Sequence, residues 1–477
     1  MEDHFRPNVP RQRILSEDKL DMLHQATLEV LRRTGIAVKD TNARELLKKG
    51  GCWVVGERVR IPSHLVEKAL RSTPSSVTLC DRNGNSSLFL ENNNVYFGTG
   101  SDTPNVIDPF SGERRKAILK DIEQVSRLID YLPELSFIMC SGIASDVNPS
   151  LSDLYHFEAM ASNTTKPIVF TAWSLDNLKT IIKMAELIAG GESELRHRPF
   201  IALYTEPISP LTLAAESAQK LILMAEKSLP VVFTPGLITG ATGPVTIAGG
   251  LVQANAEILS GYVLANLVND GVPFIYGGAV LPLDMKASLM SYAAPEFMLA
   301  TSALTDMARY YDLPMFSFAG CSDSNSFDQQ ATLESSLWIL LSSLNGGNLI
   351  HDVGYINNGL TTSFEQIVVS NEAISLVRHI TRGFNIDEET LALDLIDMIG
   401  PGGEFISADH TLRHFRENFY PDLISREPYE KWEEKGKKDM GERAKEKVRH
   451  IITTHKPEPI DTILSLELRK IISSIDI

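Results

Sequence analysis

Cysteine is scarce in this chain. Four of 477 residues are cysteine (Cys52, Cys80, Cys140 and Cys321), far apart and with no CxxC pair. Such usage builds no disulfide framework and predicts a reducing, cytoplasmic setting. Long apolar runs are missing too: none reaches the roughly 18 to 20 residues a membrane span needs, and the stretch Ile258–Val268 is interrupted by Asn266. The leading residues, MEDHFRPNVPRQRI, are polar and carry acids, so no signal peptide is expected. Positive charge is in deficit, with 45 Lys and Arg against 61 Asp and Glu and a net charge of −16. Nucleic acid is therefore excluded as a partner, since phosphate binding needs a basic footprint. The basic run Glu434–His450 has acids interspersed and reads as a solvated helix face. Also absent are GxGxxG opening a βαβ unit, GxxxxGKS/T, HExxH and GxSxG.

What remains is an ordinary soluble composition, 43% hydrophobic and 22% charged, in a chain long enough to bury a large core without disulfides or metals. Up to about residue 95 the pattern is mixed. Ser16–Gly35 has a capping residue, helical apolar spacing and a closing glycine, and short β-like runs follow (CWVV, RVRI, VTLC, SLFL, NVYF). A rhythm then begins. Strand-like runs occur at Val95–Gly98, Ser136–Cys140, Pro167–Thr171, Phe200–Tyr204, Val231–Thr234, Phe274–Tyr276, Met315–Phe318 and Asn348–His351, each followed by a helix-length segment. Eight short apolar runs rich in Val, Ile and Phe suit parallel strands buried on both faces. The expected fold is α/β: a (β/α)8 TIM-type barrel over 96–385, with an N-terminal α+β cap over 1–95 and a C-terminal helical extension over 386–477. A doubly wound open sheet is the alternative.

Such a barrel builds its site at the C-terminal ends of its strands. The loops there are rich in small and polar residues: GTGSDTP, TEPISPLT, PGLITGATGPVT, GCSDSN and HDVGYINNG. His351 ends one strand and is followed by Asp352, Gly354 and Tyr355; it is either a ligand-binding histidine or one satisfied by a backbone carbonyl. Gly236–Gly243 either offers backbone N–H groups to an anion or serves a tight turn. Cys140, Cys321 and His351 all fall near strand ends and form a candidate zinc set, against the reading of the cysteines as small buried hydrophobes. His410 and His414 share a helical face and are expected to pack. Tyr96, Phe97, Trp173, Tyr204, Tyr276, Phe318 and Tyr355 lie close to strand ends and are either core or a cage for a quaternary ammonium.

Three stretches carry a family resemblance: Pro235–Gly277 (PGLITGATGPVTIAGGLVQANAEILSGYVLANLVNDGVPFIYG), Gly320–Ala331 (GCSDSNSFDQQA) after ARYYDLP, and GGNLIHDVGYINNGLTTSFEQIVVSNE with the later GGEFISADHTLRHFR. Together they resemble the trimethylamine methyltransferase family over essentially the whole chain. The resemblance implies a barrel enzyme that passes a methyl group to the cobalt of a small partner corrinoid protein. Cob(I)alamin is then carried by the partner, with no cofactor or metal held tightly by the chain itself. Where trimethylamine enzymes of the family place pyrrolysine, this chain has Cys321, an ordinary cysteine. A quaternary ammonium already carries the positive charge that makes a neutral leaving group, so the resemblance points to a quaternary amine, glycine betaine first. On that reading Tyr96, Phe97 and Tyr355 cage the ammonium and Asp102 or Glu206 complements its charge. His351, or backbone N–H groups at Gly240–Gly243, receives the carboxylate. No membrane contact is expected, and the barrel is open to homo-oligomer formation. The competing functions are a non-catalytic betaine-binding barrel and a zinc-dependent corrinoid methyltransferase.

Overall fold

The computed structural model describes residues 10–72 and 74–475. Eight parallel strands form the central sheet: β1 (Tyr96–Gly98), β2 (Leu135–Phe137), β3 (Ile168–Phe170), β4 (Ile201–Thr205), β5 (Val231–Phe233), β6 (Phe274–Gly277), β7 (Met315–Phe318) and β8 (Leu349–His351). Neighbours in sequence are neighbours in space, and β8 pairs with β1 through Leu349↔Tyr96 and Ile350↔Phe97. A bridge from Ile138, just past β2, to Ile168 of β3 closes the ring. The closed barrel removes the open-sheet alternative. All eight strands fall on the eight predicted runs.

Each strand is followed by a helix: α1 (Leu119–Tyr131), α2 (Ser152–Asn163), α3 (Leu175–Ala189), α4 (Ala215–Lys227), α5 (Ile247–Val268), α6 (Pro295–Tyr310), α7 (Gln329–Asn345) and α8 (Phe364–Thr381). Several start where the sequence supplies a side-chain acceptor. Ser174, Thr246, Asp328 and Ser363 accept backbone N–H bonds from Asn177, Gly249, Ala331 and Gln366, which satisfies donors the first turn would otherwise leave unpaired.

Strand alternation splits the core in two. Phe137, Val169, Ala202, Val232, Ile275, Phe316 and Leu349 fill the barrel. Phe97, Leu135, Ile201, Val231, Phe274 and Ile350 pack outward in the larger core shared with the helices. The antiparallel pair Val77–Cys80 and Ser86–Leu90 places Val77, Leu79, Leu88 and Leu90 in the same cluster as the barrel interior. It enters from the N-terminal end, where Cys80 N–H donates to Pro199 O and Arg82 N–H to Thr165 O, each just ahead of a strand. That end is plugged, so a ligand has access from the C-terminal end.

Two small sheets rise from the C-terminal end. Gly236–Thr239 pairs with Ala279–Asp284 beyond β5 and β6. Asn105–Ile107 pairs with Thr361–Ser363 beyond β1 and β8. The N-terminal part is stitched on by Ile36–Val38, which pairs with Thr212–Leu213 of the β4–α4 loop. C-terminal helices Met440–Thr454 and Thr462–Ser473 lie against α1 and α8, and α2 and α3, respectively. Among the described residues no helix is long and apolar enough to cross a membrane.

Candidate active site

The mouth is assembled from loops that the sheet brings together. Gly100, after β1, lies so close to the β8 loop that a Cβ there would sit 2.3 Å from Asp352 Oδ1 and 2.4 Å from Tyr355 Cζ. Only glycine fits, and that lets the two loops touch. Tyr355 donates to the carbonyl of Ser101, and Asp352 takes a positive φ of 76°.

His351 points into the top of the barrel. Its ring stacks on Phe316 at 4.2 Å between centroids and lies 4.3 Å from Phe318. Nδ1 is 2.7 Å from Asp352 Oδ1, but the geometry is not that of a hydrogen bond, and both ring nitrogens are buried without a partner. A buried unpaired polar group is costly unless a ligand completes it.

Acids and tyrosines surround this ring. Tyr204 donates to Glu206. Glu206 is exposed to solvent yet densely surrounded by protein, which is the condition of a group lining a deep cavity. That crowding pushes its carboxyl above the ordinary value; the Tyr204 bond opposes the shift, and the charges of Asp102 and Asp352 reinforce it. Burial pushes up the hydroxyls of Tyr204, Tyr292 and Tyr355; Asp352 adds to all three, Glu206 to Tyr204 and Tyr292, and Asp102 to Tyr355. Asp102, at φ 63°, accepts a bond from the Cys140 thiol at 3.2 Å, and its own N–H donates to Cys140 Sγ at 3.4 Å. The arrangement is an anionic, aromatic mouth suited to a small cation.

Cys321 sits at this mouth, fully buried, with Sγ 3.9 Å from Tyr292 O. Burial pushes its thiol well up, and Asp352 and Asp323 add to the shift. A thiol so placed stays protonated and is a poor nucleophile.

Other predicted residues fall elsewhere. Tyr96 and Phe97 do not reach the mouth. Tyr96 begins its strand at the plugged end, where its hydroxyl accepts the Phe89 N–H. Phe97 has the outward parity and is buried between barrel and helices. Tyr276 also points outward, donating to Asn255 Oδ1 at 2.9 Å. Trp173 stands at the rim, 72% exposed. The Gly240–Gly243 N–H groups serve their own turn: Gly240 donates to Gly243 O, while Ala241, Thr242 and Gly243 all donate to Ile238 O. The anion-site reading is thereby replaced by the tight-turn reading.

Cys140, Cys321 and His351 do not converge. Among the described residues, the His, Cys and carboxylate sets with ligand atoms within 4.8 Å of one another are Asp102–Cys140–His156 and Glu389–His410–His414. In the first set, His156 Nε2 already accepts the Ala144 N–H at 3.1 Å, and burial pushes its pKa down to about 4. His410 and His414 lie 4.4 Å apart between ring centroids on the C-terminal segment, beside Glu389. The reading missed Tyr292 and His156. Neither follows one of the eight barrel strands; Tyr292 comes just after the short strand Leu289–Met290 outside the barrel, and His156 from inside α2.

The family described as Trimethylamine methyltransferase (MTTB) matches residues 2–474. A trimethylamine methyltransferase of Desulfitobacterium hafniense is 33% identical over 459 residues, covering 96% of this chain and 92% of that protein. A glycine betaine methyltransferase from another strain of the same species is 28% identical over 470 residues, covering 98% and 97%. The crystal structure of the Methanosarcina barkeri monomethylamine methyltransferase aligns over 94% of this chain and 96% of its own, with a TM-score of 0.48 and 11% identity. With a family match across nearly its whole length, this chain belongs to the trimethylamine methyltransferase family.

Proposed function

We propose that the protein transfers a methyl group from a quaternary amine, with glycine betaine the first candidate, to the reduced corrinoid of a small partner protein. The observation that carries this reading is the mouth itself, where Glu206 accepts the Tyr204 hydroxyl, Asp102 accepts the Cys140 thiol and Asp352 lies against His351, whose ring faces Tyr204. A trimethylammonium group is large, apolar on its surface and permanently charged. Tyrosine faces attract it by about 0.5–2 kcal/mol each, and the carboxylates set the sign of the site.

The reduced corrinoid supplies the nucleophile. The chain has to hold the ammonium so that one methyl carbon faces the open rim and to keep the departing amine in place; positioning of this kind is worth several kcal/mol. The carbon–nitrogen bond breaks with its electron pair going to nitrogen, so a neutral tertiary amine leaves and no general acid is needed. Cys321, protonated and buried, takes no covalent part. Positive charge on nitrogen falls as the bond breaks, so the acids hold the bound donor while alignment determines the rate. The unpaired His351 Nε2 is the group available to a donor carboxylate.

Mixing the protein and reduced cobalamin with glycine betaine, proline betaine, carnitine or trimethylamine separates the readings. Dimethylglycine formed from glycine betaine supports the proposal and its first candidate. Dimethylamine from trimethylamine alone, the activity named for the 33% identical relative, overturns the quaternary-amine reading. Binding of a betaine with no demethylation supports a non-catalytic barrel.

A further inference from the structure

Cys140 is buried just past β2, and the transfer reaction gives it no task. The turn it belongs to is locked onto the β1 loop. Ser141, at φ 56°, donates its N–H to Gly100 O at 3.0 Å. The Ser141 carbonyl accepts the Thr103 hydroxyl at 2.8 Å and the Thr362 hydroxyl at 2.7 Å. The Ile143 N–H donates to Thr103 O at 2.9 Å. Inside this frame one residue hangs on a thiol. The Cys140 S–H donates to Asp102 Oδ1 at 3.2 Å and the Asp102 N–H donates to Cys140 Sγ at 3.4 Å, so the side chain and backbone of Asp102 close on one sulfur. The other hydrogen-bond donor to that carboxylate, the Thr171 hydroxyl, stands farther off at 3.5 Å. Asp102 has φ 63°, a left-handed conformation that a residue other than glycine keeps only when its surroundings fix it.

We infer that Cys140 is a positioning residue, whose uncharged thiol fixes the Asp102 carboxylate in the orientation that receives the ammonium head of the donor. The inference rests on the quaternary-amine reading above. A lysine or arginine in this place would hold the carboxylate too, but it would cancel the charge that draws the cation. A thiol holds it and leaves the charge. Burial pushes the ionisation of Cys140 well up, and the charge of Asp102 adds to the shift, so the sulfur keeps its proton and stays a donor. The support behind it is neutral as well. His156 Nε2 accepts the Ala144 N–H at 3.1 Å, and burial brings its pKa down to about 4. With the thiol proton and the imidazole lone pair both committed, Asp102, Cys140 and His156 form an uncharged mount for one carboxylate rather than a metal site. Sulfur also sets the reach. A hydroxyl donates to a carboxylate at about 2.5–2.7 Å, shorter than the 3.2 Å of this thiol, so serine keeps the bond and draws the carboxylate toward the β2 loop.

Calorimetric binding of glycine betaine and of its carbon isostere 3,3-dimethylbutanoate isolates the head charge, because the two share a tail. The wild type should prefer glycine betaine. Cys140→Ala should weaken glycine betaine about tenfold, the loss of a hydrogen bond to a charged group, while the isostere and kcat stay near their wild-type values. Cys140→Ser retains a donor and should recover most of the loss. Cys52→Ala removes a buried thiol from the N-terminal part and should change neither ligand. Infrared spectroscopy supplies a readout that needs no donor. Of the S–H stretching bands of the four cysteines, one should lie at lower frequency than the rest, vanish in Cys140→Ala and rise in Asp102→Asn. A wild type that does not discriminate between the two ligands brings down the quaternary-amine reading, and this role with it. Discrimination that survives Cys140→Ala, or an S–H band indifferent to Asp102→Asn, overturns the inference and leaves that reading in place. Stoichiometric zinc that is lost in Cys140→Ala overturns the inference too, since a metal takes the thiolate.

Discussion

His351 Nδ1 lies 2.7 Å from Asp352 Oδ1 at the top of the barrel, yet the two groups do not align as a hydrogen bond. Adjacent residues reach this geometry because Asp352 takes a left-handed backbone conformation, which aspartate adopts more readily than most side chains. The turn places the imidazole and the carboxylate side by side at the mouth and leaves both ring nitrogens without a hydrogen-bond partner.

The first prediction concerns this pair. Asp352→Asn removes a negative charge from the mouth and should raise KM for a quaternary amine roughly tenfold, about 1.4 kcal/mol, with kcat changed far less. His351→Ala should raise KM for glycine betaine much more than for tetramethylammonium, which has no carboxylate. Equal effects on the two donors would show that His351 supports the pocket without reading the carboxylate.

Glu206 links function to pH. Its carboxyl is raised by its surroundings, so in the window between the ordinary glutamate value and the shifted one the folded protein holds a proton that the unfolded chain lacks. As pH rises through that window the carboxylate charges, donor binding strengthens and fold stability falls. Glu206→Gln should therefore raise Tm at neutral pH and raise KM at the same time. The low-pH limb of kcat/KM should flatten in the variant; an unchanged limb would assign that titration to another group.

Cys321→Ser is expected to keep kcat within about threefold, because a protonated buried thiol carries no covalent step. Alkylation of Cys321 by iodoacetamide at neutral pH should be slow in the folded protein and fast after unfolding, followed by peptide mass spectrometry. A loss of kcat beyond about 100-fold with KM intact would restore a nucleophilic role.

Phe97 separates packing from binding. Fully buried on the helix side of β1, it should cost about 3–5 kcal/mol on replacement by Ala, read by chemical denaturation. KM of the folded variant should stay at the wild-type value. A selective rise in KM without loss of stability would return it to the substrate cage.

The chain's own pattern determined a good deal. Short runs such as Val231–Phe233 and Ile168–Phe170 are apolar at every position, and strands buried on both faces require that, so the barrel and its order were legible. The mouth loops were legible too, because glycine and polar residues cluster where the strands end. Which side chains enter the cavity was not legible. In a run that is apolar throughout, nothing local distinguishes inward Val232 from outward Val231; the alternation has a phase that only closure of the ring sets. Tyr292 and His156 come from segments with no strand signal and are brought in by the tertiary path alone. The Gly240–Gly243 turn shows the same limit from the other side, since whether an N–H faces a ligand or its own loop depends on backbone geometry. Composition and periodicity are local quantities and determined the architecture. The site depends on contacts between loops distant in sequence, such as Gly100 against Asp352, and only the folded chain decided those.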